Sequence, residues 1–205
     1  MSTPTQAHEQ LAALAHLTEQ TRELIKHITQ THASTATLNA ITTQLQDINQ
    51  QLEASVSTER PLAHFNFAMA QSDPQQVLPY SPIVGRYNPL APPFSTQFNN
   101  ETQELHATVS CNRSYEGPPH CVHGGVIAGI YDQLLALTAA GVGKAGPTAA
   151  LTTQFHLPTP LYTDLSFRAW VSQVDGRKIT IHGECRVGDN IVSSAQALCI
   201  QHRAQ

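Results

Sequence analysis

Glycine is missing from the N-terminal part of this chain of 205 residues: none of its 11 glycines precedes Gly85. Proline is missing between Pro4 and Pro61. A segment without either breaker has few means of turning, so long helices are expected there. Charge is scarce, at 13% of residues against 40% hydrophobic. That balance excludes a charge-rich disordered chain and leaves ample apolar material for a core. A net charge of −4 supplies no broad basic field, so nucleic acid is not an expected partner. No apolar run is long enough for a membrane span, and none is expected. The start, Met1-Ser2-Thr3-Pro4-Thr5, lacks a basic segment followed by an apolar one, which makes the cytoplasm the expected address. The cysteines, Cys111, Cys121, Cys185 and Cys199, form no CxxC pair and read as reduced thiols.

What is present divides the chain in three. Residues 1–58 read as a helical hairpin extension, 59–82 as an irregular linker and 83–205 as the main domain. Thr3, Pro4 and Gln6 make a capping box, and Leu11, Leu14, Leu17, Leu24 and Ile28 follow at helical spacing. A second helix from about Ser34 carries Leu38, Ile41, Leu45, Ile48 and Leu52 on a Thr/Gln-rich background. Each helix has one narrow apolar strip, so the pair is expected to dock on another surface. Seven prolines punctuate 60–100, which reads as loop and short elements.

Beyond Leu105 the period changes. Leu105–Cys111 alternates as a strand, and an apolar helix runs from Val126 to about Ala140. Strands are then expected over 148–157, 164–174, 178–187 and 191–201. The fold class is α+β: a long central helix, apolar nearly all round, wrapped by an antiparallel sheet, with a two-helix N-terminal extension.

Three motifs invite chemistry. Gly141-Val142-Gly143-Lys144-Ala145-Gly146 matches GxGxxG, but a dinucleotide site needs a strand before it and a helix after it. The order here is reversed, so the motif reads as a helix stop. His120-Cys121-x-His123 has metal-like spacing, yet no second close ligand cluster follows, and no metal is expected. His123-Gly124-Gly125 opens the apolar helix, and Asp132 is its only acid. Gly125, Ala128, Gly129, Asp132 and Ala136 share one small-residue face. Helix N-terminal amides bind developing negative charge, a glycine admits a carbonyl closely, and a partly buried carboxylate can serve as general base on water. Acyl transfer is the chemistry available to such a pair.

The stretch Tyr115-Glu116-Gly117-Pro118-Pro119-His120-Cys121-Val122-His123-Gly124-Gly125 and on to Tyr131-Asp132 resembles the signature of hotdog-fold acyl-CoA thioesterases. It has most likeness to the phenylacetate-pathway and mitochondrial branch. Agreement continues through Pro147-Thr148, Pro158-Thr159-Pro160-Leu161 and Asp175-Gly176-Arg177-Lys178, over roughly 83–202. The resemblance implies a hotdog fold and hydrolysis of an acyl-CoA or related pantetheine thioester, with no cofactor beyond the coenzyme A of the substrate. It implies Asp132 as catalytic base or nucleophile, Gly124 as the amide that polarises the thioester carbonyl, His123 as an orienting residue and Thr148 as a hydroxyl holding the water. Gln154, Arg177, Lys178 and Gly125 fall at substrate- or coenzyme-A-binding positions. Departures are Gln133 where an acid is common, His120 for a more usual glycine, and Gly117 where some relatives carry Asn. A catalytically weak acyl-CoA-binding or regulatory protein and a hotdog hydratase or dehydratase are the alternatives.

Spacing adds an assembly. Gly124 and Asp132 are eight residues apart, which is roughly 12 Å along one helix. A carbonyl with its attacking water cannot easily meet both in one chain. A homodimer, or a dimer of dimers, with shared sites is therefore expected, as the resemblance also implies. The depth of an acyl pocket depends on packing between sheet, helix and the Pro-rich stretch 74–93.

Overall fold

A computed structural model describes residues 4–59, 62 and 65–202. Thr3, the expected N-cap, lies outside the described residues. Helix α1 spans Pro4–Ile28 and α2 spans Thr35–Glu53, the latter capped by Ser34, whose side chain accepts from the Thr37 amide. Six strands follow: β1 Phe94–Asn99, β2 Glu104–Ser110, β3 Thr148–Phe155, β4 Asp164–Asp175, β5 Lys178–Val187 and β6 Asn190–Ile200. Helix α3, Gly124–Gly141, precedes β3. All neighbouring strands are antiparallel, in the order β1-β2-β4-β5-β6-β3.

The sheet wraps α3, which packs on β2 through β6. Ile127, Ile130, Tyr131, Leu134, Leu135 and Leu137 of the helix are buried against Leu105, Val109, Leu165, Phe167, Ile179 and Ile181. Alternate residues of β4 and β5 point inward, as the period-two pattern requires. Tyr131 meets the Phe167 ring edge-on at 5.3 Å, and its hydroxyl lies 2.9 Å from Ser193 Oγ. Gly183 admits this layer: a Cβ there would stand 3.0 Å from Leu135 Cδ2. The GxGxxG stretch is indeed where the helix stops. Gly143 takes φ +72, its amide bonds Ala140 O, and the Lys144 amide bonds Ala139 O.

Two expectations need amending. Residues 94–99 form a strand, although they lie in the proline-punctuated stretch read as loop and short elements. The last two prolines, Pro92 and Pro93, stop just short of it, so no ladder amide is lost. Phe98 then packs on Gly141, where a Cβ would meet its ring at 2.3 Å.

The helical extension differs in how it docks. Leu17 and Ile28 of α1 are exposed, and the inward face centres on the buried Thr18 and on Arg22. Arg22 Nε donates to Ala91 O at 2.9 Å, and its Nη2 reaches Gly85 O, Arg86 O and Asn88 O at 3.0–3.3 Å. No residue of α2 is buried, and its stripe of Leu38, Ile41, Ile48 and Leu52 faces solvent. Within one chain, then, the helices do not close on each other as a packed hairpin would. Arg22→Ala is expected to cost about 2–3 kcal/mol, since one half-buried guanidinium serves several carbonyls. Urea unfolding measures it, and an unchanged midpoint would mean that α1 docks without this anchor.

Candidate active site

The residues singled out on and around α3 fall at two places, the middle of the helix and its N-terminal start. At the first, Asp132 projects half-buried from the middle of the helix. Thr148, opening β3, stands beside it. Both line a cavity of about 620 Å³ with Gln133, Ala136 and Ala140 of α3, Val77 and Leu78, Phe65 and Phe67, and His202. The Asp132 carboxylate accepts from Gln133 Nε2 at 3.4 Å. Thr148 Oγ1 lies 3.9 Å from Cys199 Sγ. Burial pushes that thiol's pKa up, the Thr148 hydrogen bond lowers it, and the Asp132 charge raises it again. Apart from Gln133 and His202 the remaining wall is apolar, so the carboxylate and hydroxyl stand in a mostly greasy chamber.

At the second place stands the start of α3. A helix leaves its first four amides without intrahelical partners. His123 is the N-cap and satisfies three of them. Its Nδ1 accepts from the Gly125 amide at 2.9 Å, and its carbonyl accepts from Val126 and Ile127 at 2.9 and 3.2 Å. The Gly124 amide has no acceptor among the described residues. Gly124 lines a second cavity, of about 410 Å³, with Cys121, Ile127, Phe155 and Leu157. A Cβ at Gly124 would stand 3.3 Å from the Phe155 ring. This helix end thus presents one free N–H, in an electropositive position, next to an apolar slot.

Each expected residue has a definite location. Asp132 and Thr148 are together, while Gly124 and His123 stand two turns away. Gly125 spends its amide on the His123 cap, and a Cβ there would lie 3.1 Å from the His123 ring. Gly117, which departs from relatives carrying Asn, is tied to the same loop, since a Cβ would come within 2.7 Å of His123 Cα. Arg177 and Lys178 are exposed at the β4–β5 turn, with Arg177 Nε donating to Gln201 O at 2.9 Å. That turn flanks the end of β6, next to His202. Gln154 is exposed and lies on the sheet face turned away from α3, in a cleft with Trp170, His182 and Glu184. It does not join Asp132 in one chain.

The sequence reading missed Phe65, Phe67, Ser81 and His202. Only Ser81 falls inside the Pro-rich stretch flagged as shaping the pocket. Cys121 is half-buried, whereas Cys111 and Cys185 are deeply buried and burial pushes both thiols up to about 12. Such thiols are protonated and inert at neutral pH.

A helix wrapped by an antiparallel sheet, carrying a carboxylate on one flank and a bare amide at its start, defines the hotdog class. The thioesterase superfamily profile matches residues 120–194. The crystal structure of a thioesterase superfamily protein, RHA08564, is 32% identical, covers 91% of this chain and 94% of its own, and superposes with a TM-score of 0.81. This chain belongs to the thioesterase superfamily. A span of that size has to include most of the N-terminal helices, so the extension is common to both proteins. A hypothetical thioesterase protein from Streptococcus pneumoniae TIGR4, solved with coenzyme A, shares the fold at 14% identity, over 55% of this chain and 92% of that one, with a TM-score of 0.50. A putative thioesterase from Ralstonia eutropha JMP134, described as phenylacetic acid degradation-related, matches at 20% identity over 52% of this chain and 83% of its own, with a TM-score of 0.48. Among the described residues no helix is long and apolar enough to cross a membrane.

Proposed function

We propose that this protein hydrolyses acyl-CoA thioesters at sites shared between two copies of the chain. The observation that carries the reading is the separation of the polar groups: Asp132 with Thr148 at one place, and the one free amide of α3, on Gly124, at another. β3 bridges the two. It is an edge strand, paired with β6 alone among the described residues. Its Thr148 end adjoins Asp132, and the Phe155 ring at its other end lies against Gly124. Antiparallel pairing of β3 with its copy, centred between Leu151 and Thr152, sets Thr148 of one chain opposite Phe155 of the other. Each Asp132 then faces the Gly124 amide of a second copy, and the open edge is covered.

In this arrangement Asp132 takes a proton from water and the water oxygen adds to the thioester carbon. Thr148 holds that water. The carbonyl oxygen gains negative charge against the Gly124 N–H, the C–S bond breaks as the oxyanion collapses, and the leaving thiolate takes the proton from Asp132, which releases acid and thiol and restores the carboxylate. The coenzyme A of the Streptococcus pneumoniae structure and the exposed cations Arg177 and Lys178 support coenzyme A as the thiol. The 620 Å³ chamber has the size of a small-molecule site, and its apolar wall suits the acyl group. Phe65 and Phe67 stack at 5.8 Å over it.

A thiol-trapping assay over short, long and aromatic acyl-CoAs tests the activity. Binding without thiol release would favour a regulatory acyl-CoA-binding protein instead. Ala140, two turns beyond Asp132 in the chamber wall, gives a finer test. Ala140→Phe is expected to lower kcat/KM for long acyl chains ~10- to 100-fold and to spare short ones. Equal loss at every length would remove the acyl group from this chamber.

A further inference from the structure

The Asp132 carboxylate does not stand alone in its wall, and what holds it leads out of the hotdog body. Gln133 Nε2 lies 3.4 Å from Asp132 Oδ2, and Gln133 Oε1 accepts from Ser81 Oγ at 2.9 Å. Ser81 is 6% exposed. Its Oγ also accepts from the backbone amides of Ile83 at 3.1 Å and Val84 at 3.3 Å. A serine hydroxyl has two lone pairs and one proton. Both lone pairs are engaged by amides, so only the proton is left for Gln133, and it needs an acceptor. The carbonyl end of the Gln133 amide therefore faces Ser81, and its NH2 end is turned to Asp132. The opposite orientation would aim two N–H donors at a saturated oxygen.

Ser81 is itself anchored from the N-terminal extension. Its carbonyl accepts from the Gly85 amide at 3.0 Å, and Arg22 of α1 donates to Gly85 O at 3.3 Å. A Cβ at Gly85 would come within 2.5 Å of the Ser81 backbone, so the two peptides are in direct contact. A continuous set of polar contacts thus runs from α1 through Gly85 and Ser81 to the amide that meets the carboxylate.

We propose that Ser81 is a positioning residue for catalysis: it sets the Gln133 amide so that an N–H holds the Asp132 carboxylate in place, and α1, through Arg22, braces Ser81. The extension shared with the 32% identical relative then has a task at the active site besides any role in assembly. The proposal rests on Asp132 being the catalytic carboxylate. Its geometric part stands apart from that reading and can be tested without activity.

The experiment is a double-mutant cycle of Ser81→Ala and Gln133→Met, with crystal structures of the parent and of Ser81→Ala. Expected are a kcat lowered roughly 10-fold by each single change, the scale of a slightly misplaced catalytic group. KM stays within about 2-fold, and Ser81→Ala adds nothing once Gln133 is Met. A merely structural serine would instead give additive losses or a raised KM, and either result overturns the proposal. In the crystals the Gln133 amide is expected to leave Asp132 in Ser81→Ala only. If it stays in place, Ser81 does not set it and the proposal is wrong. If it leaves but the parent releases no thiol from any acyl-CoA, the geometric link stands and the thioesterase reading has failed.

Discussion

Asp132→Asn is expected to leave fold and melting temperature unchanged and to remove ~10²–10⁴ of thioester turnover, the usual cost of losing a general base. The amide is nearly isosteric with the carboxylate. The residue is half-buried at a cavity edge, where its carboxylate meets the Gln133 amide, so no packing is lost. Steady-state thiol release measures the effect, with circular dichroism as the control for folding. A folded variant that keeps more than about a third of the parent rate lies far outside that range and would exclude Asp132 as base or nucleophile. A single-turnover experiment in H₂¹⁸O separates those two roles. An anhydride opened by water at the Asp132 carbonyl leaves ¹⁸O on that side chain, so label found on Asp132 identifies a nucleophile, whereas a base leaves none.

The second large effect is rescue. Gly124→Val places a branched side chain against the Phe155 ring, which already stands 3.3 Å from where a Cβ would be. The slot beside the free amide closes, and this variant should be as inactive as Asp132→Asn. Unfolded, mixed and refolded together, the two chains should recover about a quarter of the parent activity. Half of randomly formed dimers are mixed, and each mixed dimer holds one intact site of two. Mixed dimers demonstrated by mass spectrometry but devoid of activity would refute a site built from two copies. Full activity in a monomer would refute it equally.

The body of the fold was legible because its elements are strongly periodic. α3 is apolar nearly all round, and β4, β5 and β6 alternate. Strand β1 was hidden because Pro92 and Pro93 stand against it, and prolines read as loop. The inward face of α1 was legible in part, since Leu11, Leu14 and Leu24 of its stripe are half-buried, but its centre was not. Its anchor is Arg22, a residue type that a hydrophobic pattern counts as solvent-facing, and the carbonyls it serves lie more than sixty residues away.

The site was half legible. Asp132, Gly124 and His123 lie on one short stretch and could be found by spacing. Gln154 falls at a coenzyme-A-binding position by the resemblance alone, and no local pattern in its strand tells which sheet face it takes. The register shift between Thr148 and Ala150 reverses the parity and turns Gln154 to the far face. Ser81 and Gln133 are 52 positions apart. Nothing local in either segment announces the contact.

The position of β3 at the sheet edge also dictates when the site can exist. β3 is made third among the strands, yet its neighbour within the chain, β6, is made last. On a ribosome adding about 5–20 residues per second, β3 waits some seconds while β4 and β5 are completed. Until β6 arrives, Thr148 has no strand to fix it beside Asp132, and both edges of β3 are bare. A chain arrested before β6 would hold a formed α3 and no catalytic pair. The Thr148 hydroxyl joins Asp132 only when the last strand closes, so this pair is expected to form at the end of folding, ahead of any pairing between copies. Pulse-labelled amide exchange is expected to show β3 and β6 gaining protection together, and protection of β3 ahead of β6 would contradict this order.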